Sequence, residues 1–162
     1  MSPDEARRHL YDMLKKFDSA MLTTRAADGS PRARPMAISR VEKGGALYFV
    51  TQIDSPKVDE IQSDSDVLVT VQGDRRYVSL SGRAELVRDR QLIRDLWSPF
   101  LKTWFEDEND PSIVVLRVEP RAAEYWDNSG VRGIAFVFDA VKAMLGGDKG
   151  GGGPDTNQKV HL

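Results

Sequence analysis

Val67-Leu68-Val69-Thr70-Val71, Gly73-Asp74 and Tyr77-Val78-Ser79-Leu80-Ser81 decide the fold class of this chain. Two β-prone runs with a turn dipeptide between them predict a hairpin, and a hairpin makes its strands antiparallel. The second arm continues through Gly82 to Val87. Upstream, Ala46-Leu47-Tyr48-Phe49-Val50-Thr51 follows the Gly44-Gly45 turn and is an apolar, aromatic run too short for a helix, which suits a buried strand. Earlier still, Ala20-Met21-Leu22-Thr23-Thr24 and residues 31–41 flank Asp28-Gly29 and predict another hairpin. Pro31 and Pro35 lack amide donors, which argues for an edge position or a bulge in that second arm. Residues 113–118 supply a sixth strand.

Helices fill the gaps. Ser2, Pro3 and Glu5 read as an N-cap, a first-turn proline and a capping-box partner ahead of Ala6, Leu10, Met13, Leu14 and Phe17. Ser55-Pro56 repeats the cap-and-proline device for a short helix with Val58 and Ile61, ending near Ser63. Asp89 caps a third helix carrying Leu92, Ile93, Leu96 and Trp97, and an acidic loop over 106–110 follows. Ile134, Val137, Phe138, Val141, Met144 and Leu145 share one helical face and predict a last helix ending at Gly146-Gly147. The expected architecture is mainly β with flanking helices, a six-stranded antiparallel small barrel. It forms one domain over residues 1–145, and the glycine-rich residues 146–162 read as a flexible tail.

Length and composition agree: 162 residues suffice for one domain of the usual ~100–200. A net charge of −2 gives no electrostatic reason to expect nucleic acid or an anionic membrane as partner. No apolar run reaches the ~18 residues of a spanning helix. The opening Ser2-Pro3-Asp4-Glu5 lacks a basic region followed by an apolar one, so a cytoplasmic location is the expectation. With no cysteine there is no disulfide, thiolate nucleophile or cysteine-ligated metal, and redox chemistry has to come from a cofactor. Two histidines, His9 and His161, are too few for a histidine metal cluster, and both are expected at the surface.

One constellation carries chemistry. Arg34 follows the Asp28-Gly29 turn, Thr51 ends the third strand, and Ser55 and Lys57 open the short helix. Free N–H groups at a helix start, a hydroxyl and two cations suit a phosphate. Met36, Phe49 and Val50 are placed to support a flat ring beside it. An N-capped surface helix with a solvated lysine satisfies the same spacing and is the commoner arrangement.

The fragments Ala20-Met21-Leu22-Thr23-Thr24, Asp28-Gly29-Ser30-Pro31-Arg32-Ala33-Arg34-Pro35-Met36, Tyr48-Phe49-Val50-Thr51 and Asp54-Ser55-Pro56-Lys57 occur in that order. Tyr77 to Ala84, Leu96-Trp97, Trp104-Phe105, Asp110-Pro111 and Glu124-Tyr125-Trp126-Asp127 follow. Together they resemble the general stress protein branch of the pyridoxamine 5'-phosphate oxidase-like flavin-binding split barrels, over nearly the whole chain. The resemblance implies a six-stranded split barrel and a homodimer with FMN at the subunit interface. FAD or a deazaflavin are lesser candidates. It also implies that Arg34, Ser55 and Lys57 hold the FMN phosphate, and that Pro35, Met36, Phe49, Val50 and Thr51 line the ribityl chain and ring. Tyr77 falls where a polar flavin contact is offered, and Trp104 and Phe105 would cover the site from the partner subunit.

Two departures from the oxidase stand out. Ser39 replaces its substrate-phosphate lysine, and the tail lacks its Arg-x-His motif, so pyridoxamine phosphate oxidation is not expected. Arg40 and Arg132 are the replacement cations near at hand. The acidic loop at 106–110 also departs from the proline and glycine usual in the stress branch. The implied function is a flavin-dependent oxidoreductase of the stress response, with a non-catalytic flavin-binding or flavin-buffering protein as the alternative. A barrel that keeps only its dimer, without a ligand, is a third reading. The residues name no catalytic acid or base, no substrate and no electron donor.

Overall fold

The first hairpin joins β1 (Ser19–Arg25) to β2 (Pro31–Ala37) in the computed structural model, which describes residues 2–128 and 157–161. Gly29 takes φ +85°, a conformation that costs glycine little, and the Asp28 carboxylate accepts from the Ser30 amide at 3.0 Å. The other strands are β3 (Arg40–Val41), β4 (Leu47–Gln52), β5 (Asp66–Gly73), β6 (Arg76–Val87), β7 (Ile113–Asp127) and β8 (Asn157–His161). Their order is β2-β1-β5-β6-β7-β4-β3, with every pairing antiparallel and β8 added to β7.

The expected strand over 31–41 is two strands at opposite ends of this order. Between them, the Ile38 amide donates to the Asp18 carbonyl beside β1, and the Ser39 amide donates to the Tyr48 carbonyl in β4, both at 2.8 Å. Adjacent residues thus tie the two ends of the sheet together, and the sheet is an antiparallel split barrel. The division of this segment, together with β8, explains why the described residues form eight strands where six were expected.

Alternation in β4 sends Leu47 and Phe49 inward and Tyr48 and Val50 to the other face. Inside, these two meet Leu22, Val69, Leu80, Leu116 and Tyr125, and α1 (Pro3–Leu14) adds Leu10, Met13 and Leu14. Each such side chain contributes about 1.5–3 kcal/mol when fully buried, so α1 is held by packing as much as by its observed Ser2–Glu5 capping box. Outside, α3 (Arg90–Leu96) and a 3-10 helix (Pro99–Thr103) lay Ile93, Leu96 and Leu101 against Tyr48, Ile113 and Val115. Both faces of the β4–β7 pair are therefore covered, which is why residues 113–116 read as an unbroken apolar run before Arg117.

Some expectations shift. The β5–β6 turn places Asp74 and Arg75, not Gly73, at positive φ (50° and 58°), the backbone that a two-residue hairpin requires. β7 runs on past Val118 through Pro120 to Asp127, because a bulge absorbs the proline: Ser81 pairs with Ala122, but Gly82 pairs with Pro120. Residues 157–161, expected within the flexible tail, pair instead with the edge of β7 beyond the stretch that β4 covers. An open strand edge offers unpaired amides and carbonyls, and five residues of extended chain satisfy them. His9 is half-buried and stacks on Tyr125 with ring centroids 4.8 Å apart. The expected helix over 134–145 and Arg132 lie outside the described residues. No helix among the described residues is long and apolar enough to cross a membrane.

At the bulge, a Cβ on Gly82 would drive into the Glu119 carbonyl and stand 3.2 Å from the Pro120 Cα. Backbone cannot yield as a flexible side chain does. Gly82→Ala is therefore expected to cost about 3 kcal/mol, the upper end of overpacking penalties, read as a lower urea midpoint at unchanged slope.

Candidate functional site

Where the two ends of the sheet meet, between β2 and β4, the surface opens into a cleft of about 480 Å³. β2 gives it Pro35, Met36 and Ala37, and the connection gives Ser39. From β4 come Val50, Thr51 and Gln52, and from α2 (Pro56–Ser63) and the residue before it come Lys57 and Ser55. Helix α2 begins here because Ser55 holds an extended backbone and Pro56 supplies a first residue that needs no amide partner.

The Lys57 ammonium donates to the Thr51 hydroxyl at 3.0 Å and to the Ser55 hydroxyl at 3.3 Å. Ser55 is the expected N-cap residue, but its side chain makes no capping bond and instead accepts from Lys57, so the lysine is not simply solvated. Burial holds the Lys57 pKa below its ordinary value, the Arg34 charge lowers it further, and Glu60 opposes both. This end of the cleft collects a desolvated cation and two hydroxyls at the start of a helix, a donor set that fits a phosphate monoester.

The other wall is apolar. Leu101 and Phe105 are buried and anchor the 3-10 helix. Phe100 and Trp104 project beside the cleft, 58% and 53% exposed, in an edge-to-face pair with centroids 5.0 Å apart. With Pro35, Met36 and Val50 they offer flat apolar surface to a ring. A polar end, an apolar body and this volume match the usual form of a cofactor pocket, and the residues present fit a flavin mononucleotide.

Of the residues expected at the site, Pro35, Met36, Val50, Thr51, Ser55, Lys57, Trp104 and Phe105 line this one cleft. Trp104 and Phe105, expected from a partner subunit, reach it from the same chain as Lys57, because the chain after α3 returns across the β4 face. Arg34 stands behind the lining: its guanidinium donates to Thr24 Oγ1 at 2.7 Å and lies 3.6 Å from Glu60. Phe49 is wholly buried in the barrel core, since alternation turns it away from Val50. Tyr77 lines a separate groove of about 360 Å³ with Thr70 and Trp126, which meets the cleft only at Ser19 and Pro35. Sequence reasoning missed Ser19, Ala37, Gln52, Phe100 and Leu101. Of these Phe100 carried a signal, an aromatic directly after Ser98-Pro99. Arg40 turns from the cleft, its guanidinium 5.7 Å from the centre of the Tyr48 ring.

Comparison with known proteins agrees with this geometry. The family described as Pyridoxamine 5'-phosphate oxidase like matches residues 5–150. Protein bli-3 of Neurospora crassa is 36% identical over 137 residues, covering 75% of this chain and 65% of that protein. General stress protein 26 of Bacillus subtilis is 26% identical over 125 residues, covering 74% of this chain and 87% of that protein. Among solved structures, the general stress FMN/FAD binding protein of Xanthomonas citri superposes with a TM-score of 0.64 at 26% identity, covering 75% of this chain and 88% of the other. A family match that takes in the barrel strands β1 to β7 and the whole cleft makes the assignment: the chain belongs to the pyridoxamine 5'-phosphate oxidase-like family, in its general stress protein branch.

Proposed function

We propose that this chain binds FMN in the cleft between β2 and β4 and works as a flavin-dependent oxidoreductase of the stress response. The observation that carries the reading is the polarity of the cleft: Thr51, Ser55 and Lys57 gather at one end, and Met36, Val50 and Trp104 stand among its apolar walls. The phosphate belongs at the first and the ring against the second, and the Xanthomonas citri relative, an FMN/FAD binding protein, supports that choice. FMN is preferred because the donors are gathered in one cluster that suits a terminal phosphate.

A bound flavin supplies hydride and electron transfer, while the protein binds and orients it. Lys57 is the one ionisable side chain in the cleft lining among the described residues, so no carboxylate or histidine there acts as a proton donor. The same observation favours the second reading, a flavin-binding protein without turnover. Stopped-flow reduction of the flavin-loaded protein by NADPH, followed by reoxidation with an acceptor, separates the two.

We further propose a homodimer. Met21, Leu68, Phe100 and Trp104 leave large apolar side chains on the surface of one chain, and a second copy would cover them. Light scattering should return twice the 18.1 kDa chain mass, and a mass of one chain at all concentrations overturns the dimer.

FMN should bind at about one per subunit, with Lys57→Ala weakening it roughly ten- to hundred-fold, as the loss of a charge-assisted bond of about 1.5–3 kcal/mol implies. An unchanged Kd in flavin-fluorescence titration removes Lys57 from the site. The lysine is charged below its pKa, so FMN affinity should fall as pH rises through a value lower than the ordinary 10.5, and Lys57→Arg should abolish that fall. Pyridoxamine 5'-phosphate should not be oxidised, because Ser39 lines the cleft where the oxidase would carry a second cation. Pyridoxal 5'-phosphate and peroxide formed at more than about one turnover per second would reverse that assignment.

A further inference from the structure

Behind the phosphate end lies a second layer that the cofactor reading does not use. Glu60 sits one helical turn after Lys57 on α2, its side chain only 9% exposed. A carboxylate so buried must be paired. Its Oε2 accepts from the Thr24 hydroxyl at 2.8 Å and lies 3.6 Å from an Arg34 Nη2. Thr24 is itself buried, and its oxygen receives Arg34 Nη1 at 2.7 Å, while the same Nη1 reaches the Leu22 carbonyl at 3.3 Å. The chain of donors runs Arg34 to Thr24 to Glu60, with the ion pair closing the loop.

The two nearby cations are handled differently. Arg34 is held by a carboxylate, a hydroxyl and a carbonyl. Lys57 is given hydroxyls alone and stays available to an anion. We propose that Glu60 is a positioning residue for the phosphate end of the cleft: through Thr24 it fixes Arg34 behind the start of α2 and offsets the repulsion between Arg34 and Lys57, so that the Lys57 charge stands ready for a phosphate with the Arg34 charge held behind it. This rests on the FMN reading and adds to it the residue on which the cation pair depends. The charged groups that act on Lys57 are Arg34 from β2 and Glu60 from its own helix, the first lowering and the second raising its affinity for a proton.

The sign of one measurement separates positioning from a plain structural ion pair. As a bare negative charge near a phosphate, Glu60 opposes binding, so a purely electrostatic view has Glu60→Gln bind FMN more tightly. A purely structural view has the folded variant bind it equally. Positioning requires the opposite of the first: Glu60→Gln, keeping size and an oxygen for Thr24, should weaken FMN at pH 8 by about tenfold and move the alkaline loss of affinity to lower pH. Glu60→Asp should recover part of both. Should Glu60→Gln fail to fold, Thr24→Val cuts the relay while leaving every charge in place, and it should weaken FMN several-fold. Tighter or unchanged binding in Glu60→Gln, or unchanged binding in Thr24→Val where that variant stands in, overturns the proposal. Wild-type protein that binds neither FMN nor inorganic phosphate overturns the cofactor reading and this inference together. Wild-type protein that binds FMN and loses it on Lys57→Ala, but is indifferent to Glu60 and Thr24, overturns this inference alone.

Discussion

Two backbone hydrogen bonds from consecutive residues set up everything else. Ile38 donates toward β1 and Ser39 toward β4, and those strands stand far apart in the sheet order β2-β1-β5-β6-β7-β4-β3. An extended chain points successive amides in opposite directions, so one residue pair can serve two sheet edges at once. The sheet has to curl for this to happen, and the curl encloses the core of Leu22, Phe49, Leu80 and Leu116. It also stops the closure short: among the described strands β2 is hydrogen-bonded along its length only to β1. The gap left beside β4 is the cleft, which is why residues of β2, the connection and β4 all line it.

A cation placed in such a gap stands against stability. Burial and the neighbouring Arg34 both push Lys57 toward its neutral form, so at neutral pH the folded state holds a charge that it disfavours relative to the unfolded chain. The sign follows from linkage: a lysine whose folded pKa is lowered destabilises the fold while protonated, and this cost fades as pH rises through that lowered value. A carboxylate placed directly on the ammonium would remove the cost, but an incoming phosphate would then have to displace it. Thr51 and Ser55 satisfy the donors with neutral oxygens and leave the charge unneutralised.

Much of this was legible in the sequence because local rules and burial point the same way. The hairpin at Asp28-Gly29, the capping box at Ser2 and Glu5 and the cap at Asp89 are each satisfied within a few residues, so no distant contact can overrule them. Residues 31–41 and the region after Val118 were harder for one reason. A strand that changes partners midway, or absorbs Pro120 through a bulge opposite Gly82, looks from its own sequence like an unbroken strand or a finished one. The site divides likewise. Ser55 and Lys57 announce themselves by standing at a helix start, whereas Arg34 carries the right charge but is drawn inward by Glu60, a partner 26 positions along the chain that no local pattern reveals. Phe49 and Val50 differ only in pleat, and Phe49 belongs to the core.

The chemistry left to this cleft follows from what its walls omit. Acid–base catalysis needs a titratable group within reach of the reacting proton, and nucleophilic catalysis needs an activated oxygen, sulfur or nitrogen with a base beside it. Among the described lining residues the hydroxyls of Thr51 and Ser55 have only the Lys57 ammonium as partner, which donates to them and cannot take their protons. Nucleophilic catalysis lacks its base there, and the one titratable group of the described lining is the lysine assigned to the anion. What the walls do offer is a place to hold an anionic end and a flat body in fixed relation, with the exposed Phe100–Trp104 pair at its side. Any redox reactivity at such a site has to be brought by what it holds. Under the function proposed above that ligand is FMN, which brings phosphate, planar ring and two-electron chemistry in one molecule.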